Sequence, residues 1–390
     1  MPVLLIDATA SLANPKGVGR YAYHLCLQMA QRLPKDWMIH VLVNRGNESL
    51  FPYDFRAKLA VVRQRSEIAS AFLVIPREVR RLGCEILLKT YEGAGLVPGI
   101  RTVTVCHDID AFIARAQGST NPLRSAINAC KFRLRRRALQ RSDFVVCNSQ
   151  FTRAAVQEQY GIAAGRTAVA YCAVDPRFYD HSRGVDAAAL RKKLGVARFV
   201  LTFATGDPRE NFRILPEVAS QLLEVRLDTC LLVAGLRPRA AYVTQLRNEF
   251  RKRGMSEGIH FIFEDFLGSD RFQELVDLYS AADFYLELSL HEGFGMQLIE
   301  AMACGTTCIS SPRGALTEVG SRYAIFADPT NPREIALVLR DAYQGGEHLR
   351  DNREQVQYTR QYSWDRAGSV VAGVLMQVAA REPQAEAQPA

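Results

Sequence analysis

Thirteen short apolar, β-branched runs punctuate this 390-residue chain, with longer helical patterns between them. In the first half they fall at residues 3–6, 39–43, 60–62, 86–88, 102–106, 144–147 and 168–171. In the second half they fall at 199–203, 230–234, 260–263, 284–288, 307–310 and 324–326. Continuous apolar strands of this kind are buried on both faces, as in parallel sheets. Regular strand–helix alternation then implies an α/β class. Thirteen strands are too many for one doubly wound sheet, so the pattern predicts two parallel-sheet domains. The break is expected within residues 175–198, which hold Asp175-Pro176, the turn cluster His181-Ser182-Arg183-Gly184 and a charged helix over Ala187–Leu194. This gives a first domain of residues 1–180 and a second of 181–364. A helix over 365–380 is expected to pack back on the first domain, and 381–390 reads as a flexible tail. In open α/β sheets ligands bind beyond the carboxyl ends of the strands. Residues just after each strand are therefore the candidates, and a ligand held by both domains would sit in the cleft between them.

Composition narrows the class. Hydrophobic residues make up 48% and charged residues 23%, which excludes disorder and collagen-like repeats over most of the length. No apolar run approaches the roughly 18–20 residues of a membrane-spanning helix. The first residues, Met1-Pro2-Val3-Leu4-Leu5-Ile6-Asp7, lack a basic lead and read as a strand rather than a signal peptide. Nine scattered cysteines form no Cys-x-x-Cys pair and no Cys/His cluster. They read as reduced core residues, Cys304 and Cys308 included, and the expected compartment is the cytoplasm. The net charge of +8 is uneven: residues 1–180 carry +11 and residues 181–390 carry −3. The first half therefore faces something anionic, a nucleic acid or a membrane surface. The chain lacks an aromatic-plus-basic recognition motif, which argues against nucleic acid.

The densest constellation is residues 289–305, SLHEGFGMQLIEAMACG. A strand ends near Leu288, Glu292-Gly293-Phe294-Gly295 follows, and a helical pattern starts at Met296. The glycines let the backbone approach a ligand closely. Free N–H groups at a helix start favour an anion or an oxygen-rich group. Glu300 follows Glu292 by eight residues, on the second turn, so both carboxylates are expected to face one crevice.

This segment resembles the signature of the retaining GT-B glycosyltransferases of family four, the group 1 type, in which two glutamates flank seven residues. Further elements resemble the family in the expected order along nearly the whole chain. They are Lys16-Gly17-Val18-Gly19-Arg20-Tyr21, His107-Asp108, Asn148-Ser149-Gln150-Phe151-Thr152-Arg153, Gly314-Ala315-Leu316-Thr317-Glu318-Val319-Gly320 and Tyr362-Ser363-Trp364. The resemblance implies a GT-B fold of two Rossmann-like domains facing a cleft. It implies sugar transfer from a nucleotide-diphosphate donor to a saccharide or lipid-linked acceptor, as in surface polysaccharide or lipopolysaccharide synthesis. It implies no cofactor and no metal. By the same resemblance Glu292 contacts the donor sugar near the reacting carbon, and the N–H groups around Gly293, Phe294 and Gly295 hold its hydroxyls. Glu300 accepts from the ribose, a task suited to a carboxylate facing a diol. Gly17 and Val18 bring N–H groups to the diphosphate, and His107 is the first domain's catalytic contribution.

One segment departs from the pattern. Where the family carries a lysine for the diphosphate, this chain reads Gly206-Asp207-Pro208-Arg209-Glu210-Asn211. A carboxylate 4 Å from a phosphate charge costs roughly 4 kcal/mol at an effective dielectric of 20. Either Glu210 turns away while Arg209 and Asn211 serve the donor, or the donor sits differently, or turnover is lost and the chain is a donor-binding scaffold. Asp108-Ile109-Asp110 matches the metal motif of another transferase fold but reads as a chance match. Finally, Pro122–Arg141 reads as a helix with Arg124, Lys131, Arg133, Arg135, Arg136, Arg137 and Arg141, and no acid lies between Asp110 and Asp143. A second basic helix is expected over 71–83, with Arg77, Arg80 and Arg81 beside Phe72, Leu73 and Ile75. Both fit docking on an anionic inner membrane face.

Overall fold

The structure, a computed structural model, describes residues 1–9, 17–63, 69–95, 97–108, 122–237, 240–265, 271–347 and 352–381; at 122–125 and 183 only the backbone is described. Lys16, Ile109, Asp110 and most of the predicted tail lie outside these residues. The elements run β1 (Val3–Asp7), α1 (Gly17–Arg32), β2 (Met38–Asn44), β3 (Lys58–Val62), α2 (Ile75–Leu82), β4 (Ile86–Lys89), β5 (Arg101–Cys106), α3 (Pro122–Arg141), β6 (Phe144–Cys147), α4 (Gln150–Tyr160) and β7 (Thr167–Val169). There follow α5 (Arg177–His181), α6 (Ala187–Leu194), β8 (Phe199–Phe203), α7 (Leu215–Glu224), β9 (Cys230–Ala234), α8 (Ala241–Lys252), β10 (Phe261–Phe263), α9 (Phe272–Ala281) and β11 (Phe284–Glu287). The chain ends with α10 (Met296–Ala303), β12 (Thr307–Ser310), α11 (Leu316–Gly320), β13 (Ala324–Phe326), α12 (Pro332–Gln344), α13 (Arg353–Thr359) and α14 (Trp364–Ala380).

Two compact units result, Met1–Ala173 with Tyr362–Ala390, and Val174–Gln361. Each is built on one parallel sheet, of seven strands in the order β3-β2-β1-β4-β5-β6-β7 and of six in the order β10-β9-β8-β11-β12-β13. The strand order reverses beside the first strand of each unit. β4 lies against β1 and β11 lies against β8. There the crossovers part to opposite faces and leave a crevice at the carboxyl ends. The strands are apolar because helices cover both faces: every residue of β6, β9 and β12 is buried.

The first unit is closed by the chain's last helix. Ser363 caps α14, accepting from the N–H of Arg366. Trp364 then stacks on His24 of α1 with ring centroids 4.5 Å apart. Tyr362 meets Tyr171 edge-on. α5 belongs to the second unit, where Phe178 packs on Phe272 and Tyr279 of α9. Residues 71–83 do not form one α-helix. Ser70–Val74 is a π-turn and the α-helix starts at Ile75, next to Pro76, whose missing N–H breaks the regular ladder.

Gly368 lets α14 approach α1. A Cβ there would lie 2.6 Å from the Cβ of Gln28. Gly368→Val should therefore force the two helices apart and cost about 1–3 kcal/mol, the usual range for overpacking. Chemical denaturation would register the loss as a lower midpoint; an unchanged midpoint would show that the contact is slack.

Candidate functional site

In the second unit, two loops meet at the β8–β11 crevice. Residues 204–211 leave β8 and residues 288–295 leave β11. The N–H of Leu290 donates to the carbonyl of Arg209 at 2.8 Å, which fixes one loop against the other. A third loop, after β12, backs them. The N–H of Ala315 donates to the carbonyl of Glu292 at 2.9 Å. Gly314 has φ +61°, and a Cβ there would lie 2.4 Å from that carbonyl oxygen. Only glycine fits this approach, which gives the Gly314–Gly320 motif a job: it supports the turn that carries Glu292.

Glu292 is half-buried, and Gly293, Phe294 and Gly295 are buried at the start of α10. Ser289 Oγ lies 3.3 Å from a carboxylate oxygen of Glu292 and donates to Glu287 at 2.6 Å. Glu287 is itself buried and also accepts from the Ser289 N–H and the Tyr285 hydroxyl. Burial, with the Glu287 charge adding to it, keeps Tyr285 protonated far above its usual range. Glu300 is 2% exposed and accepts from the Tyr279 hydroxyl at 3.3 Å. The two signature glutamates thus differ in setting: Glu292 is partly open and Glu300 is enclosed.

The departing loop explains its acid. Glu210 turns back on its own loop: its carboxylate accepts from the Thr205 N–H at 2.6 Å and from the Thr205 hydroxyl. Arg209 forms an ion pair with Asp207, Nη2 to Oδ2 at 2.9 Å. Asn211, in the left-handed region at φ 55°, donates its side-chain amide to the carbonyl of Pro329 at 2.7 Å. Its amide therefore pins the loop to the segment after β13.

In the first unit His107 follows β5 and is buried. Its Nε2 lies 3.0 Å from the Thr90 carbonyl. A carbonyl only accepts, so Nε2 carries the hydrogen and Nδ1 is the ring's acceptor. Burial drives the imidazole down to about pKa 4, against the Thr90 hydrogen bond and the Asp108 charge, so the ring is neutral near pH 7. Tyr21 closes on it edge-to-face at 5.0 Å. Gly17 and Val18 open α1 and are half-buried, one turn before Tyr21. The candidate residues therefore form two sets, one at the crevice of each sheet.

The comparisons agree with this architecture. The family described as "Glycosyl transferases group 1" matches residues 188–360, and "Glycosyltransferase Family 4" matches residues 15–178. The chain belongs to this glycosyltransferase family. Its fold is GT-B: it superposes on WaaG, "a glycosyltransferase involved in lipopolysaccharide biosynthesis", with TM-score 0.71 and 17% identity, over 95% of this chain and 99% of that one. Anabaena HepE, solved with UDP-glucose, gives TM-score 0.73 at 17% identity, over 97% and 100% of the chains. Among relatives, the family member is 26% identical to O-antigen chain mannosyltransferase B of Escherichia coli over 63% of this chain and 61% of that one. It is 27% identical to a GDP-mannose-dependent phosphatidylinositol dimannoside mannosyltransferase of Mycobacterium tuberculosis, over 71% and 68%. The chain spans 61% of the first of these relatives and 29% of the serotype-specific mannosyltransferase WbdA of Escherichia coli.

Sequence patterns missed Tyr279, Ser289, Thr205 and Glu287. For Glu287 a signal existed, an acid inside an apolar strand. Tyr279 gave none, since its partner lies a helix and a strand away. Glu210→Lys should lose both bonds to Thr205 and cost about 1–3 kcal/mol, the penalty of stripping partly buried polar groups of a partner. Thermal unfolding of the variant checks this; undiminished stability would return Glu210 to a dispensable surface acid.

Proposed function

We propose that this chain is a retaining hexosyltransferase that uses a nucleotide-diphosphate sugar and works in surface polysaccharide or lipopolysaccharide synthesis. The carrying observation is the half-open Glu292 at the N-terminus of α10, followed eight residues on by the enclosed Glu300. Mannosyltransferases among the relatives support a mannosyl donor. In this reading the bond from C1 to the diphosphate breaks, and the acceptor oxygen bonds to C1 on the same face. The acceptor's proton goes to the leaving diphosphate. Glu292 and the N–H groups of Gly293, Phe294 and Gly295 orient the sugar, while Glu300 binds the ribose with Tyr279 behind it. Gly17, Val18 and Arg209 serve the diphosphate, so Arg209 must exchange Asp207 for phosphate. His107, neutral, offers Nδ1 to a hydroxyl and carries no charge of its own. Transfer proceeds without a metal or cofactor. With Glu210 occupied by Thr205, the scaffold reading loses the observation that motivated it.

A panel of nucleotide sugars screened by thermal shift identifies the donor, because a ligand bound only by the native state raises stability. Transfer is then measured with and without chelator. Glu292→Gln should lower kcat. Glu300→Ala should raise donor KM, since ribose contacts exist in both ground and transition states. Arg209→Ala should weaken the free nucleoside diphosphate as well. No donor-induced shift, or loss of transfer in chelator, contradicts the proposal.

The acceptor side is proposed to work on an anionic membrane face. No helix among the described residues is long and apolar enough to cross a membrane. Arg133, Arg136, Arg137 and Arg141 of α3 are exposed, as are Arg77, Arg80 and Arg81 of α2. Phe72 and Leu73, just before α2, are exposed as well. Arg135 of α3 is instead turned into the unit, because its helix position faces the sheet. Each basic residue near an anionic surface contributes about 1 kcal/mol. Vesicles with anionic lipid should co-sediment the protein and release it at high salt. Changing Arg133, Arg136, Arg137 and Arg141 to Gln should abolish binding; equal binding to neutral vesicles would refute electrostatic docking.

A further inference from the structure

Beyond β4 the chain reads Thr90-Tyr91-Glu92-Gly93. Glu92 belongs to none of the motifs above, yet it is 3% exposed. Acids are almost never that buried unless something holds them. Two contacts tie this loop to His107. The Thr90 carbonyl accepts from ring Nε2. The Glu92 carboxylate accepts from the backbone N–H of His107 at 3.1 Å. Residues two apart on one loop therefore hold both the ring and the backbone of a single histidine.

The surroundings of Glu92 are defined. Arg135, the inward arginine of α3, is 8% exposed, and its guanidinium lies over the Tyr91 ring at 5.3 Å. Burial pushes the Glu92 carboxyl up to about 7. The N–H of His107, its own N–H and the Arg135 charge oppose this, and Asp108 adds to it. Cys106 and Cys147 also feel its charge, but burial raises both thiols well above neutral pH. The Lys89 ammonium donates to the Gly93 and Gly95 carbonyls.

We propose that Glu92 is the positioning residue for His107: its carboxylate, when ionised, fixes the backbone turn after β5 through the His107 N–H. This rests on the proposed role of His107 in transfer. A bond to an ionised acceptor is shorter and stronger than one to a neutral acid. The turn is therefore held when Glu92 is deprotonated and loosens when it takes a proton. Because the folded carboxyl pKa is raised to about 7, the hold is half-formed at that pH, complete well above it and lost well below it. A 1 Å misplacement of a group at a reacting centre costs on the order of 100-fold.

Two measurements separate this inference from the function it rests on. The first needs no substrate. Protein labelled with 15N-histidine carries seven histidine amides, and His107→Gln identifies the one of interest. That amide proton should titrate with a midpoint near 7 and move upfield on acidification. The titration should vanish in Glu92→Gln and shift to higher pH in Arg135→Gln, which removes the charge that holds the carboxyl down. The second is the pH profile of transfer. Glu92→Gln should lose the acidic limb and drop kcat by roughly 10- to 100-fold, with donor KM within about twofold; Glu92→Asp should recover part of it. A His107 amide that titrates alike in wild type and Glu92→Gln, both folded by circular dichroism, overturns the inference. Absence of transfer from every donor overturns the proposed function and leaves the amide titration to decide the role of Glu92.

Discussion

Everything chemical in this molecule follows from the parallel ladder. A parallel strand has helices on both faces, so its side chains go into packing and its length is closed to ligands. What stays open is the carboxyl end, and most of all the place where the strand order reverses. In the first unit that place is β1 against β4, and in the second it is β8 against β11. His107 and Glu92 gather near the first, and Glu292, Glu300, Arg209 and Glu210 near the second. The sheets decide where, and the loops decide what.

The loops are not left to wander. In the second unit, the Leu290 N–H bonds the Arg209 carbonyl and the Ala315 N–H bonds the Glu292 carbonyl. Loops from three strands are thereby joined through main-chain groups. Acidic side chains are managed in different ways. Glu287 is buried with hydroxyl and N–H donors around it, Glu300 has the Tyr279 hydroxyl, and Glu210 is turned onto Thr205. Glu292 keeps partial exposure. A loop rich in acid can thus be made compatible with an anionic diphosphate, because most of the negative charge is already engaged by neighbouring donors.

Several features changed meaning once the chain was folded. Glu210 looked like an intruder at a phosphate site and proves to be the brace of its own loop. Arg135 looked like one more charge on a basic helix and proves to be turned inward, over the Tyr91 ring. The basic stretch over 71–83 is interrupted by a π-turn ahead of Pro76. The side-chain amide of Asn211 also ties its loop to the Pro329 carbonyl. For Arg135 and Asn211 the deciding partner lies far off in the sequence, whereas Glu210 and the π-turn are settled within their own segments.

The division between what was legible and what was not has a physical reason. Strand positions were readable because burial on both faces leaves continuous apolar runs; all thirteen occur, and five of them have the same ends as expected. The family signature around Glu292 was readable because a glycine turn at a helix start needs particular residues at fixed local spacing. Local backbone chemistry writes itself into neighbouring residues. Pairing between distant loops does not. The Tyr279–Glu300 bond, the Glu92 hold on His107 and the approach of Gly314 to Glu292 join residues whose separation in sequence carries no pattern. Those contacts arise only when parallel pairing brings strand ends side by side, and so the enclosure of Glu300 and the neutrality of His107 were decided by tertiary structure alone.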